Sequence, residues 1–372
     1  MADRHSRSAD VSTGGPGVTN SHARPAGATA STGVLDGRSG GDAPVPPDLR
    51  HTGGGLGGGG SLPRRKGFGA ENAFRGLTLA AGTMVLVIIV AITIFLVAKA
   101  IPALQANDAN FLTTKEWFAN ETPARFGIAA LAWGTVVSAV IALLVAVPIA
   151  LGIALYLSHY ANKRIATVLG FLIDLLAAVP SVVYGLWGLM VFIDPVRDLS
   201  VWLNKYFSWL PFFNGEAPFG RSLLLGGLVL AIMVLPIITS LSREVFMQTP
   251  TANEEAALAL GATKWEMIRT AVLPYGRPGV IASVMLGLGR ALGETIALAM
   301  TLGFLNVISL NVIENGGNSI AANIANGFGE AGEIGRGALI ASGLVLFTIT
   351  LIVNMIARAI IYRRREFTES AA

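Results

Sequence analysis

Polar and apolar positions divide the chain into two unlike regions. Beyond about residue 76 it carries six long apolar stretches, at about Leu77–Ile101, Ala129–Leu157, Ile165–Ile193, Ser222–Ser242, Gly279–Leu305 and Gly337–Ala357. Each is long enough to cross about 30 Å of hydrocarbon as a helix. The apolar residues run on without alternating, which excludes the strands of a barrel, and backbone groups in lipid must then pair within a helix. Pro148, Pro180 and Pro236 fall inside three of the stretches. Each predicts a local kink, because proline brings no N–H to the ladder. Asp174 interrupts the third stretch, and Arg290 and Glu294 interrupt the fifth. The expected class is an all-α integral membrane protein with about six transmembrane helices.

The region before the spans is of a different kind. It is rich in Gly, Ser, Ala and Pro, with a run from Gly53 to Gly60 broken only by Leu56. Such a segment cannot bury enough apolar surface to offset its chain entropy. The expected plan is a disordered cytosolic tail over 1–70, a transmembrane domain over 71–365 and a short cytosolic tail over 366–372. Within the membrane domain, residues 243–279 form a cytosolic loop.

Composition agrees with a lipid environment. Of 372 residues, 53% are hydrophobic and 13% charged, against about 25% charged in soluble domains. Basic residues favour one side of the spans roughly two to one, which places both termini in the cytosol of a multi-pass cell-membrane protein. A net charge of +4 is too small a bias to argue for nucleic acid. There is no cysteine, and the four histidines, His5, His22, His51 and His159, are scattered, so no metal site is expected. No paired carboxylates, histidine or cysteine stand in the spans to run acid–base or nucleophilic chemistry. The chain also lacks a G-x-x-x-x-G-K-[ST] phosphate loop, so any ATP and magnesium would be held by another polypeptide.

The loop at 243–279 is patterned. Thr251 precedes Glu254 by three and Thr263 precedes Glu266 by three, the spacing of a capping box. Gly261 is placed to end the first helix in a left-handed conformation, and Leu273-Pro274 to end the second. Trp265, Ile268 and Val272 share one helical face. The loop therefore reads as two short helices joined by a glycine turn. Its apolar face either packs on the protein's own spans or fills a groove in a soluble partner.

In the fifth stretch, counting from Gly279, Arg290 and Glu294 lie roughly 16 and 22 Å along a continuous helix, near the bilayer middle. A central arginine costs about 2.5–3.5 kcal/mol on insertion scales. At i and i+4 the two share a face. One reading is an internal ion pair. The other is an anion path, since guanidinium presents a planar fork of donors that suits tetrahedral oxyanions, with Glu294 holding Arg290 between anions. Gly289 and Gly293 read as small residues admitting a neighbouring helix. Asp174 either lines the same path or sits nearer the cytosolic interface. Ser181 offers a hydroxyl to an anion or to helix packing.

The run Glu255-Ala256-Ala257, then Gly261, then Leu273-Pro274, resembles the "EAA" coupling signature of ABC importer permeases. The runs LGLGRALGET from Leu286, DLLAAVPSVVYGLWG from Asp174, SREVFMQTP from Ser242 and SIAANIANGFGEA from Ser319 resemble the phosphate-specific Pst permeases, closest to the PstC type. The resemblance covers about residues 74–365. It implies a type I ABC importer permease fold and half of a phosphate translocation path. The implied partners are a second related permease of the PstA type, two copies of a cytosolic ATPase and an extracytoplasmic phosphate-binding protein. In that family the residues matching Arg290 and Glu294 are implicated in phosphate passage, and the hairpin around Glu255 to Pro274 docks into the ATPase. The alternatives are the paired PstA-type subunit, a permease for sulfate or molybdate, and a membrane scaffold that senses phosphate.

Overall fold

A computed structural model describes residues 68–216 and 219–369. The tail expected over 1–70 lies outside them except for its last three residues, which open the first helix. That helix, α1, spans Phe68–Ala106. A loop with a two-stranded ribbon, β1 (Trp117–Phe118) and β2 (Arg125–Phe126), leads to α2 (Ala129–Leu155), which widens into a π-helical turn at Tyr156–Tyr160. Next come α3 (Lys163–Ala177) and α4 (Ser181–Trp187), the latter running through a π-helical turn into α5 (Ile193–Phe207). Then follow α6 (Leu223–Met247), α7 (Thr251–Ala259) and α8 (Lys264–Met267). A π-helical turn at Ile268–Val272 joins α8 to α9 (Leu273–Leu292). The chain ends with α10 (Ile296–Thr301), α11 (Ile320–Gly327) and α12 (Glu333–Glu369).

Five of the six apolar stretches lie on helices long and apolar enough to cross a membrane: α1, α2 with its extension, α6, α8–α9 and α12. The third stretch is not one straight span. It breaks at Pro180, and the pieces on either side lie at 89° to each other. Proline forces the preceding residue out of helical geometry, so the chain turns there. Tyr184 bridges the break, its hydroxyl donating to the Leu176 carbonyl at 2.8 Å and so satisfying a group in the last turn of α3. By contrast, Pro148 and Pro236 sit inside α2 and α6, which remain single helices. Helices begin where a side chain can accept an orphan N–H. Asn162 caps α3, Ser222 caps α6 and Ser319 caps α11.

The core is built on α2 against α6. Ala142, Ala146, Ala150 and Ala154, at every fourth position of α2, are all fully buried. This small-residue stripe lets the helices approach closely, which is what drives association in lipid, where apolar surface alone gains nothing. Gly227 completes it from α6, for a Cβ there would stand 2.6 Å from Ile141. α9 packs against both α6 and α2. Ser283, Gly287 and Ala291 face α6, with Ser283 Oγ 2.8 Å from Ser242 Oγ. α1 pairs with α12 and leaves most of its surface outside the bundle.

Candidate functional site

Two regions hold the residues singled out by the sequence. The first is the end of α9. The expected continuous fifth helix stops at Leu292, Gly293 closes it, and a three-residue break precedes α10. Arg290 and Glu294 therefore do not share a helical face, and the expected i, i+4 geometry is corrected. Glu294 is 8% exposed and turns forward instead. Its Oε1 accepts the Ala297 N–H at 3.1 Å, satisfying one orphan donor in the first turn of α10. Among the described residues, no ion pair joins Arg290 to a carboxylate within 4.0 Å.

Arg290 is exposed and faces a cavity of about 690 Å³ between α6, α9 and α12. Ile237, Met285 and Leu286 supply apolar wall, and Asn354 and Arg358 supply the other polar groups. No carboxylate lines it. Gly289 lies on this wall too, where a Cβ would meet nothing within 4 Å. Neither Gly289 nor Gly293 admits a neighbouring helix. That role falls to Gly287, whose Cβ would stand 2.8 Å from Ile238. The helix register puts Gly287 on the α6 side and Gly289 and Arg290 on the open side.

The structure does not bring Asp174 to this cavity. Asp174 accepts a hydrogen bond from Ser240 at 2.6 Å, tying α3 to α6. Ser181 opens α4 just past the Pro180 bend, is half-buried and makes no side-chain hydrogen bond among the described residues. Arg358, which the sequence did not single out, is the residue missed here.

The second region is the hairpin of α7 and α8. Gly261 joins the helices at φ +84°, the left-handed geometry expected of it. Thr263 and Glu266 form the expected capping box. Thr251 and Glu254 do not: Pro250 precedes α7, and no side chain caps that helix. Glu254 instead reaches His159 on the extended end of α2, with Oε1 3.4 Å from Nε2, while Ser158 Oγ stands 2.7 Å from Nδ1. Lys264 sits over the Tyr160 ring at 4.9 Å, a second tie to the same turn.

Leu273-Pro274 does not end the second helix. The π-helical turn before it lets the Leu273 N–H bond to the Ile268 carbonyl, and the helix continues into α9. This widening accommodates the missing proline donor. It also shifts the register, so Ile268, Val272 and Met267 pack with Phe246 and Ala154 while Trp265 points outward, 55% exposed. The expected face through Trp265 is thereby corrected. Glu255 and Ala256 are exposed, and Ala257 packs at the edge of the cluster. No residue of α7 is buried, and Leu258 and Leu260 are 46% and 89% exposed.

Comparison with known proteins identifies the family. Residues 146–366 match the family described as binding-protein-dependent transport system inner membrane component. The chain is 44% identical over 303 residues to the phosphate transport system permease protein PstC 2 of Mycobacterium tuberculosis, covering 80% of this chain and 93% of that one. It is 42% identical over 299 residues to the phosphate transport system permease protein PstC of Xylella fastidiosa (strain Temecula1), covering 79% and 91%. Among solved structures, a chain of a bacterial ABC transporter involved in the import of the acidic polysaccharide alginate aligns at 18% identity. The TM-score is 0.49, over 78% of this chain and 98% of that one. With spans, broken helices and an interrupted fifth stretch all on one polypeptide, and a family match over more than half of it, the chain belongs to the binding-protein-dependent transport system inner membrane components, as a permease subunit of the PstC type.

Proposed function

We propose that this chain forms half of the translocation path of an ATP-driven phosphate importer. The observation that carries the reading is Arg290: a guanidinium without a carboxylate partner among the described residues, on the wall of an otherwise largely apolar cavity. A fixed cation in a low-dielectric cleft concentrates anions of matching size, and guanidinium can hold a tetrahedral oxyanion through two donors at once. The names of the relatives support phosphate as that anion. Glu294 acts here by building the break beside Arg290 and not by neutralising it. Asp174 and Ser181 bear on the path through the shape of the bent third stretch.

The remaining half of the path belongs to a related permease, and an extracytoplasmic binding protein delivers the anion. Two copies of a cytosolic ATPase drive the cycle, with ATP and magnesium held there and not in this chain. The hairpin from Glu255 through Ala256, Ala257 and Gly261 to Leu273 and Pro274 meets that ATPase. Its outward Leu258, Leu260 and Trp265 fit the groove of a soluble partner.

The test is Arg290→Gln in the assembled complex. Uptake of labelled phosphate is expected to be abolished while the subunits still co-purify, and normal uptake would defeat the assignment. Competition by excess sulfate or molybdate distinguishes the anion, and neither is expected to reduce phosphate uptake by more than about twofold.

A further inference from the structure

The cavity beside Arg290 holds a second cation. We infer that Arg358, with the Asn354 amide one turn before it, forms a second oxyanion contact, which takes the anion after Arg290. The inference rests on the reading of this cavity as the phosphate path.

Three observations carry it. First, Arg290 and Arg358 line the same cavity from different helices, α9 and α12, and no acidic side chain lines it. Two cations on one largely apolar space, with no carboxylate to neutralise them there, favour an anion in it. Second, Asn354 lies one turn from Arg358 on α12 and offers amide donors to a phosphoryl oxygen. Third, the two cations sit toward different ends. Arg290 is the last cavity residue along α9, at the end farthest from the α7–α8 hairpin, whereas Arg358 is the last along α12, toward the C-terminus. Successive spans run in opposite senses, so that end of α12 lies on the side of the hairpin. An anion released by Arg290 toward the hairpin side therefore passes Arg358. Binding that is shared between two moderate contacts permits exit, where a single deep one would retain the ion.

The rival reading is that Arg358 only anchors the end of α12 at the membrane surface, as basic flanks do. Phosphate uptake into proteoliposomes by the whole complex separates them, together with binding of labelled inorganic phosphate to the solubilised complex. Arg358→Gln is expected to lower both by at least about tenfold, Arg358→Lys to stay within about threefold of the parent, and replacement of Arg363, Arg364 and Arg365 by Gln to leave both unchanged. Asn354→Leu, which keeps the side-chain volume but removes the amide, is expected to cost severalfold. It decides the matter if Arg358→Gln does not assemble. Full uptake and binding by Arg358→Gln, or by Asn354→Leu, overturns the second contact and leaves Arg290 standing. Normal uptake by Arg290→Gln removes the premise as well.

Discussion

Residue by residue, two glycines of the same short run do opposite things. Gly287 lies under Ile238, with space for nothing larger than hydrogen, while Gly289 looks into open space beside Arg290. Gly287→Val therefore forces α9 away from α6. Overpacking of this kind costs about 1–3 kcal/mol, to be read as a lowered melting temperature of the purified permease. Gly289→Ala gains a methyl group that touches nothing and loses the backbone freedom of glycine, so its melting temperature is expected to equal or exceed that of the parent. If the two variants melt alike, the register of α9 on α6 is wrong. Sequence reading favours Gly289, because Gly293 follows it at small-residue spacing. What separates Gly287 from Gly289 is the preceding Ser283 and the following Ala291, which extend the Gly287 line at every fourth position.

Among the elements, the continuous apolar stretches were legible, but which of the expected interruptions breaks its helix was not. Hydropathy reports where lipid is, and it stays high across Pro180 and across Gly293. The bend at Pro180 needed knowledge of what lies on either side, because Pro148 and Pro236 carry the same local signal and leave their helices whole. The break after Leu292 was hidden because glycine is common in membrane helices. Glu294 was then read as the partner of Arg290, whereas its carboxylate accepts the Ala297 N–H in the first turn of α10. That assignment has a measurable consequence. Glu294→Ala leaves the Ala297 N–H without an acceptor and is expected to cost about 0.5–2 kcal/mol, in the range of a lost helix cap. Glu294→Gln keeps an acceptor oxygen and is expected to recover most of that stability. Equal melting temperatures for the two would show that the carboxylate acts through its charge and not through the cap. At the hairpin, Gly261 and the Thr263–Glu266 box were legible, since both signals are local. The tie from Glu254 to His159 was not, because it joins residues 95 positions apart.

At the level of the whole molecule, the absence of cysteine is useful, because a single introduced thiol reports on one place. Leu260, at the tip of the hairpin, is 89% exposed. Leu260→Cys is expected to react with a membrane-impermeant maleimide only from the cytosolic face, and to be protected at least about fivefold once the ATPase subunit is bound. Labelling from the outer face would invert the proposed orientation of both termini. Protection also matters for what happens farther along the chain. The helix that leaves the hairpin runs without a break from Lys264 to Leu292, 29 residues, or roughly 43 Å at helical rise. The π-helical turn keeps it whole across Pro274, where a loop would have absorbed displacement. If the hairpin meets the ATPase as proposed, a tilt imposed at its tip would arrive at Arg290 as a swing of the guanidinium itself, in the manner of a crankshaft.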